Sequence, residues 1–86
     1  IKMNNMIPPQ PENSIRITLV LDAPESRLDS VLLQAMRDHN NKKLREISRV
    51  KFKKLFADGN VLIKGQRART SSGLAKGTTY VDIFGI

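Results

Sequence analysis

The sequence predicts an α+β domain with two or three helices packed on a small, mostly antiparallel sheet. Three observations carry that prediction. Near the start, Ile15, Ile17, Leu19 and Leu21 alternate with Arg16, Thr18 and Val20, the period of a strand with one buried face. Between residues 26 and 57 the apolar positions change to helical spacing, and beyond Gly59 short apolar runs separated by glycine and small residues return to strand spacing.

The elements follow in order. Pro8, Pro9 and Pro11 lie among Asn and Gln, so residues 1–13 read as a mobile tail and the ordered domain as residues 14–86. After the first strand, Asp22 to Glu25 with Pro24 form a stop. Ser26 is then expected to open a helix with Asp29 as its capping-box partner, because Leu28, Val31, Leu32, Ala35 and Met36 make one continuous stripe. Asn40 and Asn41 break that stripe. Residues 42–46 read equally as a connecting loop or as an added helical turn. A second helix is expected over residues 49–57, capped by Ser48, with Phe52, Leu55 and Phe56 on one face and Gly59 as its left-handed C-terminal stop. Val61, Leu62 and Ile63 then form a short strand, Lys64 and Gly65 a turn, residues 67–70 a return strand and residues 71–78 a loop. Residues 79–84 close the sheet, with Val81 and Ile83 on one face and Tyr80, Asp82 and Phe84 on the other.

At 86 residues the chain supports one small domain, and domains of this size bury only about 60 to 65% of their unfolded surface. A deep enclosed active site is not expected. Cysteine is absent, which removes disulfides, thiol nucleophiles and thiolate metal sites. The one histidine, His39, lies in a polar run and reads as a solvated loop residue rather than a metal ligand. No metal and no cofactor is expected. No apolar run approaches the roughly 18 residues that span a bilayer, and no secretory apolar region opens the chain, so the expected location is cytoplasmic. The chain opens on Ile1 rather than methionine, which leaves room for a larger parent protein.

Charge is the strongest functional signal. Fifteen Lys and Arg face eight Asp and Glu, a formal +7. Residues 37–69 hold eleven basic and three acidic residues, net +8, and the rest of the chain is net −1. A field concentrated in this way calls for a polyanion, either nucleic acid or an anionic membrane surface. Arg49 and Lys51 stand in the first turn of the second helix, where the macrodipole disfavours cations by roughly 0.3 to 1 kcal/mol each. A phosphate bound at the free helix amides would reverse that cost. Ser48, Arg49, Lys51, Lys53 and Lys54 are therefore the central candidates. Lys42, Lys43, Arg45, Lys64, Arg67 and Arg69 are outer ones.

The order and anchor residues resemble the S-four RNA-binding domain, named after the fourth protein of the small ribosomal subunit. The matching pieces are Arg27-Leu28-Asp29, Ile47-Ser48-Arg49, Leu55, Gly59 and Val61-Leu62-Ile63-Lys64-Gly65, across residues 15–83. The resemblance implies the fold called the alpha-L RNA-binding motif. It also implies that the helices form a basic surface for structured RNA, with Ser48 and Arg49 against phosphates. Arg grips phosphate bidentately and Lys acts as a mobile point charge, so the two are not equivalent there. The connection between the two helices is longer than usual for the family, the usual Asn-Gly turn is Lys64-Gly65, which leaves the turn type open, and the usual Gly-Asp before the last strand is Gly77-Thr78. A leading strand followed by Arg-Leu-Asp looks most like the module at the N-terminus of large-subunit pseudouridine synthases. Free-standing ribosome-associated members are the alternative.

Asp29 follows Arg-Leu, as the catalytic aspartate of pseudouridine synthases does. It lacks the Thr-containing glycine turn of that motif, and residues 70–74 lie about forty positions downstream. Asp29 is thus read as structural, capping the helix or pairing with Arg27, and this chain is expected to carry no catalytic constellation; enzyme activity, if any, belongs to a parent protein. Phe52 and Phe56 read as core, while Tyr80 and Phe84 share a strand face open to other uses. With no RNP-type motif and no Gly-x-x-Gly clamp, the expected partner is a folded, ribosomal RNA recognised through phosphates, shape and 2′-hydroxyls. No membrane and no small-molecule substrate is expected. A helix-turn-helix DNA binder is the rival reading.

Overall fold

The computed structural model describes residues 7–86. The chain forms β1 (Ile15–Leu21), α1 (Leu28–Arg37), a one-turn α2 (Lys42–Arg45), α3 (Arg49–Ala57), β2 (Val61–Ile63), β3 (Gln66–Arg67) and β4 (Gly77–Ile83), an α+β fold. The strands make one antiparallel sheet in the order β1-β4-β2-β3. β4 is central, pairing with β1 from Ile15↔Ile83 to Leu21↔Gly77 and with β2 on its other side through Val61↔Ile83 and Ile63↔Val81.

The helices bury their apolar stripes against one face of this sheet. Ile17 and Leu19 from β1, Val61 from β2, and Val81 and Ile83 from β4 meet Leu28, Leu32 and Met36 from α1 and Phe52, Leu55 and Phe56 from α3. Leu44 of α2 and Ile47 are buried with them, so the connection that propensity left undecided is a helical turn anchored in the core. Asn41 caps it by accepting the Lys43 N–H at 2.8 Å. Arg37 fixes the passage into α3, donating Nη1 to the carbonyls of Arg45 and Ile47 at 2.9 and 2.7 Å. His39 at the α1–α2 turn is half-buried and accepts the Asn41 N–H on Nδ1, rather than standing free in solvent.

Phe52 and Phe56 pack edge to face with centroids 5.3 Å apart. α3 ends as its glycine requires. Gly59 takes φ +73, and the N–H groups of Gly59 and Asn60 reach the carbonyls of Phe56 and Leu55, the paired bonds of a Schellman stop. At the β2–β3 turn Lys64 and Gly65 both have positive φ, +53 and +77, as a two-residue type I′ hairpin demands. The Lys64-Gly65 departure from Asn-Gly therefore keeps the tight turn, with the strain placed on Lys64.

Three expectations need correction. α1 is capped neither by Ser26 nor by a capping box: Arg27 occupies the N-cap position without a side-chain cap bond. Its first amides are satisfied instead by a distant loop, Leu28 N–H bonding the Ser72 carbonyl at 2.9 Å and Asp29 N–H the Thr70 carbonyl at 3.1 Å. The return strand is shorter than residues 67–70, ending after Arg67, because residues 69–72 turn back to serve α1. The face that Asp82 shares with Tyr80, as expected, is not open at Asp82, which is buried because its β1 neighbour in register is Arg16 and the two close a bidentate pair at 2.8 and 3.0 Å. Of the segment expected as a tail, residues 1–6 lie outside the described residues. Among the rest, the Pro8 carbonyl accepts Arg16 Nη1 at 2.7 Å, and Ser14 bonds back to the Pro11 carbonyl.

Candidate nucleic-acid interface

α3 is the axis of the basic surface. Ser48 is extended at the N-cap and its Oγ accepts the Lys51 N–H at 3.0 Å. The N–H groups of Arg49 and Val50 have no acceptor among the described residues, so the helix start presents free donors beside exposed side chains. Successive residues turn by about 100° around the axis. With Phe52, Leu55 and Phe56 facing the core, Arg49 and Lys53 fall on one flank, Lys51 on the other, and Val50 and Lys54 on the crest. Val50 is 80% exposed.

The flank of Arg49 and Lys53 is concave. Both line a small hollow of about 100 Å³ with Asp29, Ser30 and Thr70. Lys53 and Thr70 also border the next hollow, which adds Arg67 and Arg69. Arg67 continues into a third with Lys64 and Gln66. Shared walls make these hollows one shallow path running from the start of α3 across the loop to the β2–β3 hairpin.

Long-range backbone bonds build that path. Glu25 and Leu74 exchange both N–H···O bonds, at 2.9 and 2.8 Å, and with the Leu28 and Asp29 bonds to Ser72 and Thr70 they strap residues 69–74 across the entrance of α1. Ser72 tightens the strap, its Oγ accepting the Arg69 N–H at 2.8 Å. Arg69 and Thr70 are thereby carried from the far end of the hairpin to the side of α3.

The electrostatics of the flank are nearly unopposed. Asp29 is the acidic residue that lines the first hollow, and Arg27 neutralises it through Nε and Nη2 at 3.1 and 3.0 Å. Those bonds, helped by the Ser30 N–H, hold the Asp29 carboxyl below the usual carboxylate range. The pairing with Arg27 that the sequence suggested is present. Among the described residues, Arg49, Lys53, Lys64 and Arg69 have no side-chain hydrogen bond or ion pair. Arg67 spends Nη2 on the carbonyls of Phe56 and Ala57 at the end of α3, where a cation also suits the dipole, and keeps its other donors. Lys54 pairs with Asp58 at 3.4 Å on the crest, an exposed pair of little energetic weight.

The other basic candidates gather elsewhere. Lys42, Lys43 and Lys51 line a separate hollow with Glu46, Ile47 and Ile86, which shares no wall with the path along Arg49 and Lys53. Arg45 turns to the α1–α2 connection and donates to the carbonyls of Asn40 and His39. All the sequence candidates are exposed, but they divide between two sides of α3. Lys76, isolated in a loop, gave no signal in the sequence. Among the described residues no group of three or more His, Asp or Glu side chains gathers in a way that holds a metal ion, and no helix is long and apolar enough to cross a membrane. No known family model, curated protein or solved structure matches this chain.

Proposed function

We propose that this chain is an RNA-binding module that docks a structured RNA, ribosomal RNA first among the candidates, along the flank of α3. The supporting observation is the continuous, exposed run of cations Arg49, Lys53, Arg69, Arg67 and Lys64 beside the free amides of a Ser-capped helix start. Phosphates placed along that run meet both Arg forks and Lys point charges, and the apolar side of α3 stays committed to the core. Lys42, Lys43 and Lys51 extend the positive field on the opposite flank. The shallow, open shape suits a surface that holds RNA in place, with chemistry supplied elsewhere. On the S-four resemblance, that other part is the catalytic domain of a pseudouridine synthase acting in the cytoplasm. A free-standing ribosome-associated protein would use the same surface.

The rival reading as a helix-turn-helix DNA binder fits the spacing less well. Residues 46–48 do join α2 to α3 at the three- or four-residue spacing of that motif, but α2 is a single turn of 4 residues, and the two full helices α1 and α3 are separated by residues 38–48. The deciding measurement is binding of a ribosomal RNA hairpin and of duplex DNA at matched salt. Tight RNA binding that is lost in the Arg49→Ala, Lys53→Ala double variant is the expected outcome. Equal binding of both nucleic acids, or undiminished RNA binding by the variant, would sink the proposal.

A further inference from the structure

Beyond the β2–β3 hairpin the cation path does not stop. The hollow at Lys64 borders a larger one, about 430 Å³, and the two share Ile63, Lys64 and Gly73. Lys76, Thr78, Thr79 and Tyr80 complete its polar wall, and Leu74 and Ile63 give it an apolar one. Among the described residues no carboxylate lines it. The volume falls within the roughly 300 to 1,000 Å³ of small-molecule sites, which suits one nucleotide.

The Tyr80 ring packs against a fixed cation. Arg16 lies over it, 5.2 Å from the centroid, and is itself fixed by both oxygens of buried Asp82 and by the Pro8 carbonyl. An aromatic ring braced in this way loses little freedom when a base packs beside it. Lys64 and Lys76 stand at the rim for a phosphate, and Thr78, on the same strand face as Tyr80, brings a hydroxyl that can pair with a 2′-hydroxyl.

We propose that this hollow receives an unpaired nucleotide of the bound RNA, so that a folded RNA docked on α3 is read together with a single-stranded extension leaving it along Arg67 and Lys64. The inference rests on the RNA-docking function above. It adds a specificity that the phosphate-binding flank alone lacks, a preference for a helix that ends in an overhang.

The experiment compares one RNA hairpin, blunt or with 5′ or 3′ overhangs of one to eight nucleotides, by fluorescence anisotropy at fixed salt. The readout is the ratio of overhang to blunt affinity. The expected result is a ratio that climbs to roughly tenfold, the size of stacking one base, once the overhang reaches the hollow. In Tyr80→Leu it collapses towards one, and in Lys76→Gln, which loses a rim phosphate contact, it falls below that of the wild type. Lys76 is exposed, so its variant keeps the test decisive if Tyr80→Leu does not fold. Arg49→Ala, Lys53→Ala lowers both affinities and spares the ratio. Tight hairpin binding with a ratio near one, or a ratio that every folded variant preserves, overturns the nucleotide site and leaves the docking function standing. Failure to bind any of these RNAs overturns both.

Discussion

Two Arg–Asp pairs with nearly the same bidentate geometry do opposite work in this molecule. Arg16–Asp82 joins β1 to β4 with side chains 13% and 2% exposed, and Arg27–Asp29 sits at the mouth of α1 with side chains 56% and 25% exposed. Burial decides the difference. Asp82 has exchanged water for Arg16 alone and would be left as an uncompensated charge without it. Asp29 remains in contact with solvent, and its partner chiefly cancels a negative charge in a hollow otherwise lined by Arg49 and Lys53. One pair holds the sheet together, and the other keeps the α3 flank positive.

The sharpest way to break this contrast is to remove each carboxylate. Asp82→Ala should lower Tm by more than about 10 °C, given the usual cost of orphaning a buried charge in a domain this small. A shift of only a few degrees would mean that Arg16 escapes to solvent and the pair is no anchor. Next in size, Arg49→Ala with Lys53→Ala should weaken binding of a ribosomal RNA fragment about tenfold or more. Each lost phosphate contact should also flatten the salt dependence by roughly 0.7 to 0.9 in log–log slope. Tm should stay level or rise, because cations leave the first turns of a helix. Ser48→Ala should cost about 1 kcal/mol of stability in urea unfolding through loss of the Lys51 N–H bond.

The smallest stability effect belongs to Asp29→Asn, with a Tm change within about 3 °C as expected for an exposed pair. Its pH dependence has a definite sign. The folded carboxyl titrates below its unfolded value, so its contribution is fully present above the unfolded value near 4 and is lost as pH falls through the lower folded one. The wild type and Asp29→Asn should therefore differ by a constant Tm above about pH 5 and converge in more acid solution. Divergence on acidification would contradict the pairing with Arg27.

Local signals made most of the helical layer legible. Leu28, Leu32 and Met36 in α1 and Phe52, Leu55 and Phe56 in α3 are buried as their spacing predicted, and Ser48 and Gly59 mark the ends of α3 by their own backbone chemistry. The exposed cations were legible too, since charge so concentrated has few places to hide in 86 residues. Their division into two flanks was not, because Lys51 and Lys53 are neighbours in sequence and are separated only by the turn of the helix between them.

By itself, then, the sequence determined the α+β class, the amphipathic faces, the place of the hairpin turn though not its type, and the positive field, all properties set by neighbours within a few residues. Tertiary structure alone decided that Asp82 is buried against Arg16, that Thr70 and Ser72 cap α1 in place of Ser26, and that Arg69, Lys64 and Lys76 continue the path begun by Arg49. Each of these joins residues 15 or more positions apart. Such pairings depend on strand register and loop closure, which no local propensity encodes.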